Sequence, residues 1–264
     1  MANLLEIRDL KVKFYLDNQA IDAVDGVNLD IDYNEVLVLA GESGSGKSVT
    51  ALSITRILPD NAKIISGEIN FCGRDLLKTD ETDLVRIRGE KIAYIFQEPT
   101  AFLNPVYTIG SQIVEAIMLH QNKALPQARK EAEELLRLVK IKEPVRVMLD
   151  YPHQLSGGMN QRAFIAMALA CKPKLLIADE PTTSLDVTIE AEVLNLLMEL
   201  KREIGFSLLF ITHNLSIAKK IADRVCVMHK GKIVEEGKRD IIFSSPKHFH
   251  TKELINAYEK IGRI

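Results

Sequence analysis

The strongest constraint on the fold lies at residues 41–48, which read GESGSGKS and directly follow the apolar run 36–40. They match the pattern G-x-x-x-x-G-K-[ST], and residues 47–57 after them have the pattern of a helix. Glycines let the backbone curl so that successive N–H groups point inward around a phosphate, and the helix adds the positive end of its dipole. A strand, a phosphate-binding turn and a helix in this order predict an α/β fold.

This turn contains the predicted ligands of a nucleoside triphosphate. Lys47 supplies a point charge for the β- and γ-phosphates, and Ser48 supplies an oxygen for Mg²⁺. The turn does not choose among kinases, GTPases and ATPases. The predicted nucleotide-binding residues of the turn are Gly41, Glu42, Ser43, Gly44, Ser45, Gly46, Lys47 and Ser48.

Two carboxylates end a second apolar run, LLIA at residues 175–178. In a parallel α/β sheet, functional groups collect at the carboxyl ends of the strands. Asp179 therefore suits an outer-sphere partner of Mg²⁺ that holds a metal-bound water next to Ser48. Glu180, one residue on, points elsewhere and can polarise the attacking water.

Hydrophobic periodicity divides the chain into three stretches. The first ~35 residues alternate apolar and polar side chains, which predicts half-buried antiparallel strands. Residues 98–160 show helical patterns with no strand signal between them, so they are predicted to form an inserted helical lobe. After this lobe helices and strands alternate again, and Lys230 and Gly231 predict a hairpin turn.

Charge and composition exclude several function classes. The formal net charge is −2, so no global field draws the chain to nucleic acid, and no nucleic-acid partner is expected. No apolar run approaches the ~20 residues of a membrane span, and the charged N-terminus is unlike a signal peptide, so a cytosolic chain is expected. Cys72, Cys171 and Cys226 form no C-x-x-C pair, which favours small buried hydrophobes over a zinc site or disulfides.

The run LSGGM at residues 155–159, followed by Gln161, Arg162 and a helix, resembles the signature of the ABC ATPases. The resemblance spans nearly the whole chain. It implies a P-loop NTPase (RecA-like) core with a mainly parallel sheet, an antiparallel β subdomain and an inserted helical subdomain. The implied bounds are 1–264 for a single ABC ATPase domain, 1–97 and 161–264 for the nucleotide-binding core with the antiparallel β subdomain, and 98–160 for the helical subdomain that ends in the signature.

The same resemblance gives roles to residues outside the turn. Gln97 is the expected Q-loop glutamine, Asp186 belongs to the D-loop, and His213 is the switch histidine. Phe14 is expected to stack on adenine, with the adjacent Tyr15 as its rival. The implied catalytic residues are Lys47, Glu180 and His213, and the implied Mg²⁺ ligands are Ser48, Gln97 and Asp179.

The signature itself implies a partner. Ser156, Gly157 and Gly158 would present a hydroxyl, backbone N–H groups and a helix N-terminus, which together form an anion site without its own lysine. In ABC ATPases this site caps the γ-phosphate of ATP bound to the opposite subunit. The resemblance therefore implies a second ABC ATPase subunit, with ATP as the bridging ligand.

Two further runs, FQEPTAFLNP at 96–105 and ADEPTTSLDVT at 178–188, are similar to the peptide/nickel importer ATPases. They imply that ATP hydrolysis energises the uptake of di- or oligopeptides, with nickel or a metallophore as the alternative cargo. The implied partners are two membrane permease subunits, an extracytoplasmic binding protein and a paralogous second ATPase, although a homodimer of the isolated chain stays open. The implied location is the inner face of the cell membrane.

Four finer expectations accompany this resemblance. Residues 98–110 are expected to line the groove for the permease, with Leu103 on its surface. Asn160 stands where the subfamily often has arginine and is expected to alter only a surface contact, and His248 and His250 are expected to be solvated. Many peptide-importer ATPases carry a cysteine-containing tail that can hold an iron–sulfur cluster, and since these cysteines do not occur here, no cluster is expected.

The alternative from another class is a soluble ABC ATPase that works on DNA or ribosomes. Such chains usually carry a long coiled coil, a second ATPase cassette or a basic arm, and the sequence contains none of these features.

Overall fold

The computed structural model describes residues 3–16, 19–182 and 186–261. The chain forms two compact units, of which the first contains Met1–Leu84 with Ser207–Ile264 and the second contains Val85–Phe206. These bounds differ from the division predicted from the sequence, and the subdomain assignment stays a prediction.

The strands of the described residues range from two to 13 residues in length. They are β1 (Leu5–Leu16), β2 (Gln19–Ile31), β3 (Val36–Ala40), β4 (Ala62–Phe71), β5 (Arg74–Asp75), β6 (Ile92–Ile95), β7 (Leu175–Asp179), β8 (Ser207–Thr212), β9 (Arg224–His229) and β10 (Lys232–Lys238).

The helices of the described residues concentrate in the second half of the chain. They are α1 (Lys47–Ile54), α2 (Glu81–Glu90), α3 (Pro99–Phe102), α4 (Ile109–Gln121), α5 (Leu125–Leu138), α6 (Pro144–Val147), α7 (Gly157–Leu169), α8 (Val187–Ile204), α9 (Leu215–Ile221), α10 (Arg239–Ser244) and α11 (Phe249–Ile261), and a short 3₁₀ turn covers Pro152–Gln154.

The first unit contains an antiparallel sheet in the order β2-β1-β4-β5. Leu5 pairs with Ile31 on one side and with Phe71 on the other, and all three side chains are buried. Burial of alternate residues on one face explains the period-two pattern of the first ~35 residues. The predicted antiparallel β subdomain is confirmed.

The first unit also contains four strands in the order β10-β9-β3-β8. β3 lies parallel to both β8 and β9, and each residue of β3 and β8 is buried. Continuous apolar runs are therefore required here, because both faces of the strands are covered. β9 and β10 are antiparallel and meet at the predicted hairpin turn, where Lys230 and Gly231 both have positive φ.

The second unit contains the parallel pair β6 and β7, with Ile92 paired to Leu175. Among the described residues, the connection between these strands contains only helical elements, from α3 to α7. The predicted apolar stripe of α5 is buried at Ala128, Ala132 and Leu136. The α/β class and the helical insertion are therefore confirmed.

Three helices were missed by the sequence patterns, namely α2, α10 and α11. α2 has non-helical backbone angles at Arg88 and Gly89, and α10 has only six residues, so neither offers a sustained helical period. No helix in the described part of the chain is long and apolar enough to cross a membrane.

Candidate nucleotide-binding site

The phosphate loop follows β3 and ends where α1 begins, with Gly46 at the N-cap in the left-handed region at φ 103. A Cβ on Gly46 would lie 2.4 Å from the carbonyl oxygen of Ala23, and one on Gly41 would lie 2.2 Å from that of Met228. Backbone therefore passes so close to the loop that only glycine fits at these two positions.

Backbone and side-chain hydrogen bonds hold this loop in shape. The Gly231 N–H donates to the Ser45 carbonyl oxygen at 2.9 Å, and the Thr50 hydroxyl donates to that of Gly46 at 2.9 Å. The Ser45 hydroxyl is buried without a hydrogen-bond partner among the described residues. Because buried hydroxyls are normally paired, this oxygen fits a loop that closes around a polar ligand such as a phosphate.

Lys47 has 4% of its surface exposed. Its Nζ donates to the carbonyl oxygens of Gly41 at 3.0 Å and Glu42 at 2.9 Å. A buried ammonium that donates to loop carbonyls can exchange them for phosphate oxygens, which form stronger, charge-assisted hydrogen bonds. The remaining predicted loop ligands Glu42, Ser43, Gly44 and Ser48 are exposed.

His213 and the loop start at the same edge of the first unit's parallel strands. Ala40 on β3 pairs with Thr212 on β8, so Gly41 and His213 are each one residue beyond the paired strand ends. His213 is exposed, and Asn214 caps α9 by accepting the Ser216 N–H at 3.0 Å. The backbone thus brings the switch-histidine candidate to the edge that carries the phosphate loop.

The two aromatic candidates for adenine stacking lie next to each other on β1. Phe14 is half-buried, and it pairs with Ile21 on β2 and Ala62 on β4. Tyr15 is 46% exposed, with Lys63 Nζ 5.8 Å from its ring centroid. Lys63 occupies one face of the Tyr15 ring, whereas Tyr15 is the more exposed of the two side chains, so the choice of Phe14 stays a prediction.

In the second unit, Asp179 is the last residue of β7 and is buried. Glu180 follows in the left-handed region at φ 45, where a non-glycine residue is strained by about 1–2 kcal/mol. Backbone strain of this kind is concentrated at functional sites, where the surrounding structure holds the residue in its strained conformation. It turns the Glu180 side chain away from the direction that a continued strand would give.

Tyr94 on β6 is a neighbour of this acidic pair that the sequence reasoning missed. Burial, and next the negative charge of Asp179, raise the pKa of the Tyr94 phenol well above its usual value. Tyr94 therefore stays neutral beside Asp179. A tyrosine inside a buried strand looks like core in the sequence, so no signal could have identified it.

Gln97 lies just beyond β6, next to a stack of aromatic rings. The Phe96 ring centroid is 4.4 Å from that of Tyr94 and 3.9 Å from that of Phe102. Gln97 itself is exposed. The stack fixes the backbone on either side of Gln97, whose side chain is an exposed polar group at this junction.

The signature residues form the start of α7. Ser156 is the N-cap, and its Oγ accepts the Met159 N–H at 3.3 Å. A Cβ on Gly158 would lie 3.0 Å from Ile189 Cγ2 on α8, so the helix start packs closely on its neighbour. Ser156 and Gly157 are exposed, and this helix N-terminus can accept an anion from outside the chain.

The position of Asn160 differs from the expectation for it. Asn160 is 3% exposed and its Nδ2 donates to the Pro152 carbonyl oxygen at 2.9 Å, so the expected surface contact is wrong. The short asparagine side chain makes this internal hydrogen bond, and the buried space is too small for the longer arginine side chain.

Asp186 caps α8 by accepting the Ile189 N–H at 3.1 Å, whereas Ser184 and Leu185 of the D-loop lie outside the described residues.

A phosphate loop between a parallel strand and a helix defines the first unit as that of a P-loop nucleotide-binding protein. The sequence profile of the ABC transporter family matches residues 24–183. The chain belongs to the ABC transporter family, and the identification made from the signature is confirmed.

Curated relatives cover almost the whole chain. A probable peptide ABC transporter ATP-binding protein of Sinorhizobium fredii is 49% identical over 96% of this chain and 76% of its own length. An oligopeptide transport ATP-binding protein of Bacillus subtilis is 47% identical over 97% and 79%. A peptidoglycan transport ATP-binding protein of Agrobacterium fabrum is 52% identical, but the chain spans only 47% of that relative.

Solved structures agree with the fold. A dimeric ATP-binding cassette in a post-hydrolysis state with ADP and Pi has a TM-score of 0.79 at 28% identity, over 93% of this chain and 100% of that one. A component of an ABC transporter complex from Clostridium perfringens also has a TM-score of 0.79, at 26% identity, over 100% of this chain and 98% of that one. The predicted fold class of an ABC ATPase is confirmed.

Proposed function

We propose that the chain is the ATP-hydrolysing subunit of an importer that takes up di- and oligopeptides through membrane permease subunits. The observation that supports peptides as the cargo is the sequence identity of 47–49%, over 96–97% of the chain, to relatives named for peptide or oligopeptide transport. The phosphate loop with its buried Lys47 and unpartnered Ser45 hydroxyl supports the ATPase activity.

The proposed site residues have separate roles in the binding and hydrolysis of ATP. Backbone N–H groups of residues 41–48 and Lys47 hold the phosphates, and Phe14 stacks on adenine. Glu180 orients the attacking water, and His213 donates to the γ-phosphate, where negative charge accumulates as the bond to it breaks.

A magnesium ion is the expected companion of ATP. Ser48, Gln97 and Asp179 carry only hydroxyl, amide and carboxylate oxygens, which are the donors that Mg²⁺ prefers. The ion would neutralise charge on the phosphates. Because the candidate ligands are hard oxygen donors, they fit this metal.

A second ATPase subunit completes the site. The exposed start of α7 offers Ser156, Gly157 and Gly158 to the γ-phosphate held by the partner's loop, and Asp186 lies at the start of α8 near the same residues. The partner is a paralogous ATPase or a second copy of this chain. ATP then joins two chains, and hydrolysis separates them.

The helical lobe supplies a docking groove for the permease. Helices α4, α5 and α6 enclose a groove of about 970 Å³. Exposed apolar side chains line it, among them Leu119 at 73% and Leu149 at 70%. An amphipathic cytoplasmic helix of a permease fits an apolar groove of this kind. The chain would then sit at the inner face of the membrane, with an extracytoplasmic protein that delivers the peptide.

The expectation that Leu103 lies on the surface of this groove is wrong. Leu103 is only 3% exposed, so it packs inside the lobe and is not available to a partner. A charge at residue 103 would destabilise the lobe, whereas a charge at Leu119 would act on docking alone.

Docking is tested with Leu119→Glu in the assembled transporter. We expect loss of permease co-purification and of uptake while the separate chain still binds ATP. Ile241→Glu, at a 51% exposed apolar position of the first unit, is the matched control and should behave as the wild type. Normal co-purification of Leu119→Glu would place the permease elsewhere.

The cargo is tested by uptake in cells that lack this chain. We expect uptake of a radiolabelled tripeptide to fall to background and to return with the wild-type gene but not with Glu180→Gln. Loss of nickel uptake with normal peptide uptake would favour the alternative importer. If neither uptake changes, neither peptides nor nickel are the cargo.

A further inference from the structure

Three potential metal ligands meet beside the phosphate loop, and the nucleotide chemistry uses none of their side chains. Glu42 belongs to the loop, His229 is the last residue of β9, and His250 lies in the first turn of α11. One ligand atom of each lies within 4.8 Å of the others. The two imidazole rings have centroids 3.8 Å apart and planes inclined by 38°.

The fold fixes these three positions from different sides. The close approach of Gly41 to Met228 sets the loop against the end of β9. Glu235 on β10 accepts the backbone N–H groups of Lys247 at 2.7 Å and His248 at 2.9 Å, which anchors the chain just before α11. The cluster therefore belongs to the first unit's framework and does not depend on flexible surface side chains alone.

Of the three residues, His250 gives the strongest indication of a ligand. It is 7% exposed, contrary to the solvated histidine expected from the sequence, and its Nε2 is buried without a hydrogen-bond partner among the described residues. The backbone N–H of His250 donates to His248 Nδ1 at 3.2 Å.

We propose that Glu42, His229 and His250 bind a divalent transition metal of the zinc class, with water in the remaining position. Two imidazole nitrogens and one carboxylate oxygen form a common ligand set for Zn²⁺, whereas Mg²⁺ and Ca²⁺ prefer oxygen alone. Bonds of about 2.0–2.1 Å separate tetrahedral ligand atoms by about 3.4 Å. A small side-chain rotation closes the present cluster to that spacing, and the exposed Glu42 leaves a path for entry.

Such a metal would tie the phosphate loop to the helix α11 near the end of the described chain. This role lies beyond the proposed transport function. It requires only that the folded chain binds the ion, so it can be tested without a nucleotide, a permease or a cargo.

The test is a Co²⁺ titration of the untagged, chelator-treated full chain, followed by visible absorption. We expect one Co²⁺ per chain, the intense bands of four-coordinate cobalt, and their loss when Zn²⁺ is added. Glu42→Gln, His229→Asn and His250→Phe should each weaken binding by at least about 10–100-fold, the range known for less direct changes around metals. Glu42→Asp, which keeps a carboxylate, should retain most of the affinity.

The matched control is His153→Phe, which removes an exposed histidine in the second unit and should bind as the wild type. If His250→Phe fails to fold by circular dichroism, Glu42→Gln decides, because its side chain is exposed. Binding that is equal in all variants, absent, or marked by a thiolate charge-transfer band would overturn the proposal.

Discussion

The phosphate loop and the signature are both helix N-termini, but the chain builds them in opposite ways. The loop is enclosed, with Lys47 buried and with Gly41 and Gly46 pressed against neighbouring backbone. The signature is open, since Ser156 and Gly157 are exposed, and Ser156 caps the helix by accepting the Met159 N–H. One chain therefore holds a complete cradle for a phosphate, and it offers a second, shallow anion site to something outside itself.

The largest expected effect separates binding in the enclosed loop from chemistry. Glu180→Gln keeps the side-chain shape but removes the charge that orients water, so we expect hydrolysis to fall on the order of 10²-fold or more. ATP binding should persist, and an ATP-bound dimer should accumulate. Steady-state phosphate release by the complex with its partner measures this.

The control for that measurement is Glu203→Gln, an exposed glutamate on α8, which should hydrolyse ATP at the wild-type rate. Near-normal turnover of Glu180→Gln would remove Glu180 from its role as the water-orienting group.

The next prediction concerns a substitution that disrupts the packing of the phosphate loop. Gly41→Ala would put a Cβ 2.2 Å from the Met228 carbonyl oxygen, and such overpacking costs about 1–3 kcal/mol. We expect roughly 10–100-fold weaker ATP binding, measured with a fluorescent analogue. Gly44→Ala is the control, since its Cβ meets nothing within 4 Å and only its left-handed backbone is strained. Equal losses in both variants would show that close packing does not shape the loop.

A third prediction concerns the support beneath the loop. Arg224, at the start of β9, donates to Asp30 at 3.0 Å and to the buried Glu35 at 3.2 Å. Arg224→Met leaves the Glu35 carboxylate buried without this cation. We expect a loss of about 2 kcal/mol in the free energy of unfolding at neutral pH, less than a fully buried pair because Arg224 and Asp30 are partly exposed. Urea denaturation measures it, and Arg8→Met, at an exposed arginine of the same unit, is the control.

The pH dependence of this loss has a defined sign. Burial already raises the pKa of Glu35 above its usual value despite Arg224, and removing the arginine raises it further. A carboxyl with a raised folded-state pKa contributes stability at low pH that is lost as the pH rises through that pKa. The destabilisation by Arg224→Met should therefore shrink on acidification, and a loss that grows instead would contradict this explanation.

The smallest expected change in ATP binding by the isolated chain is that of a substitution in the open site. Ser156→Arg should leave ATP binding to the isolated chain unchanged, because the signature does not serve the chain's own nucleotide. It should nevertheless block ATP-dependent dimer formation. Loss of fluorescent-ATP binding by the isolated variant would mean that the signature acts within its own chain.

The sequence predicted the parts of the molecule that depend on local patterns. The strand before Gly41, the helix after it, the antiparallel strands and the hairpin at Lys230 all follow from periodicity and turn residues, and all are present. Burial that depends on distant packing could not be predicted in this way. Leu103 was expected on a docking surface and His250 in solvent, yet both are buried.

The candidate site shows the same limit. The pattern at residues 41–48 specifies which side chains line the loop, because glycine and lysine are required by local geometry. Tyr94 lies close to Asp179 because β6 pairs with β7, and Glu180 adopts its left-handed backbone directly after β7 ends. No local pattern encodes these contacts.

The most direct test of the account mixes two inactive variants, Lys47→Ala and Ser156→Arg, with the wild-type chain measured alongside. A mixed dimer contains one site with an intact loop from one chain and an intact signature from the other. The account predicts that mixing restores ATP hydrolysis that neither variant shows alone. A mixture as inactive as the separate variants, under conditions where the wild type is active, would contradict a signature that serves the partner's ATP.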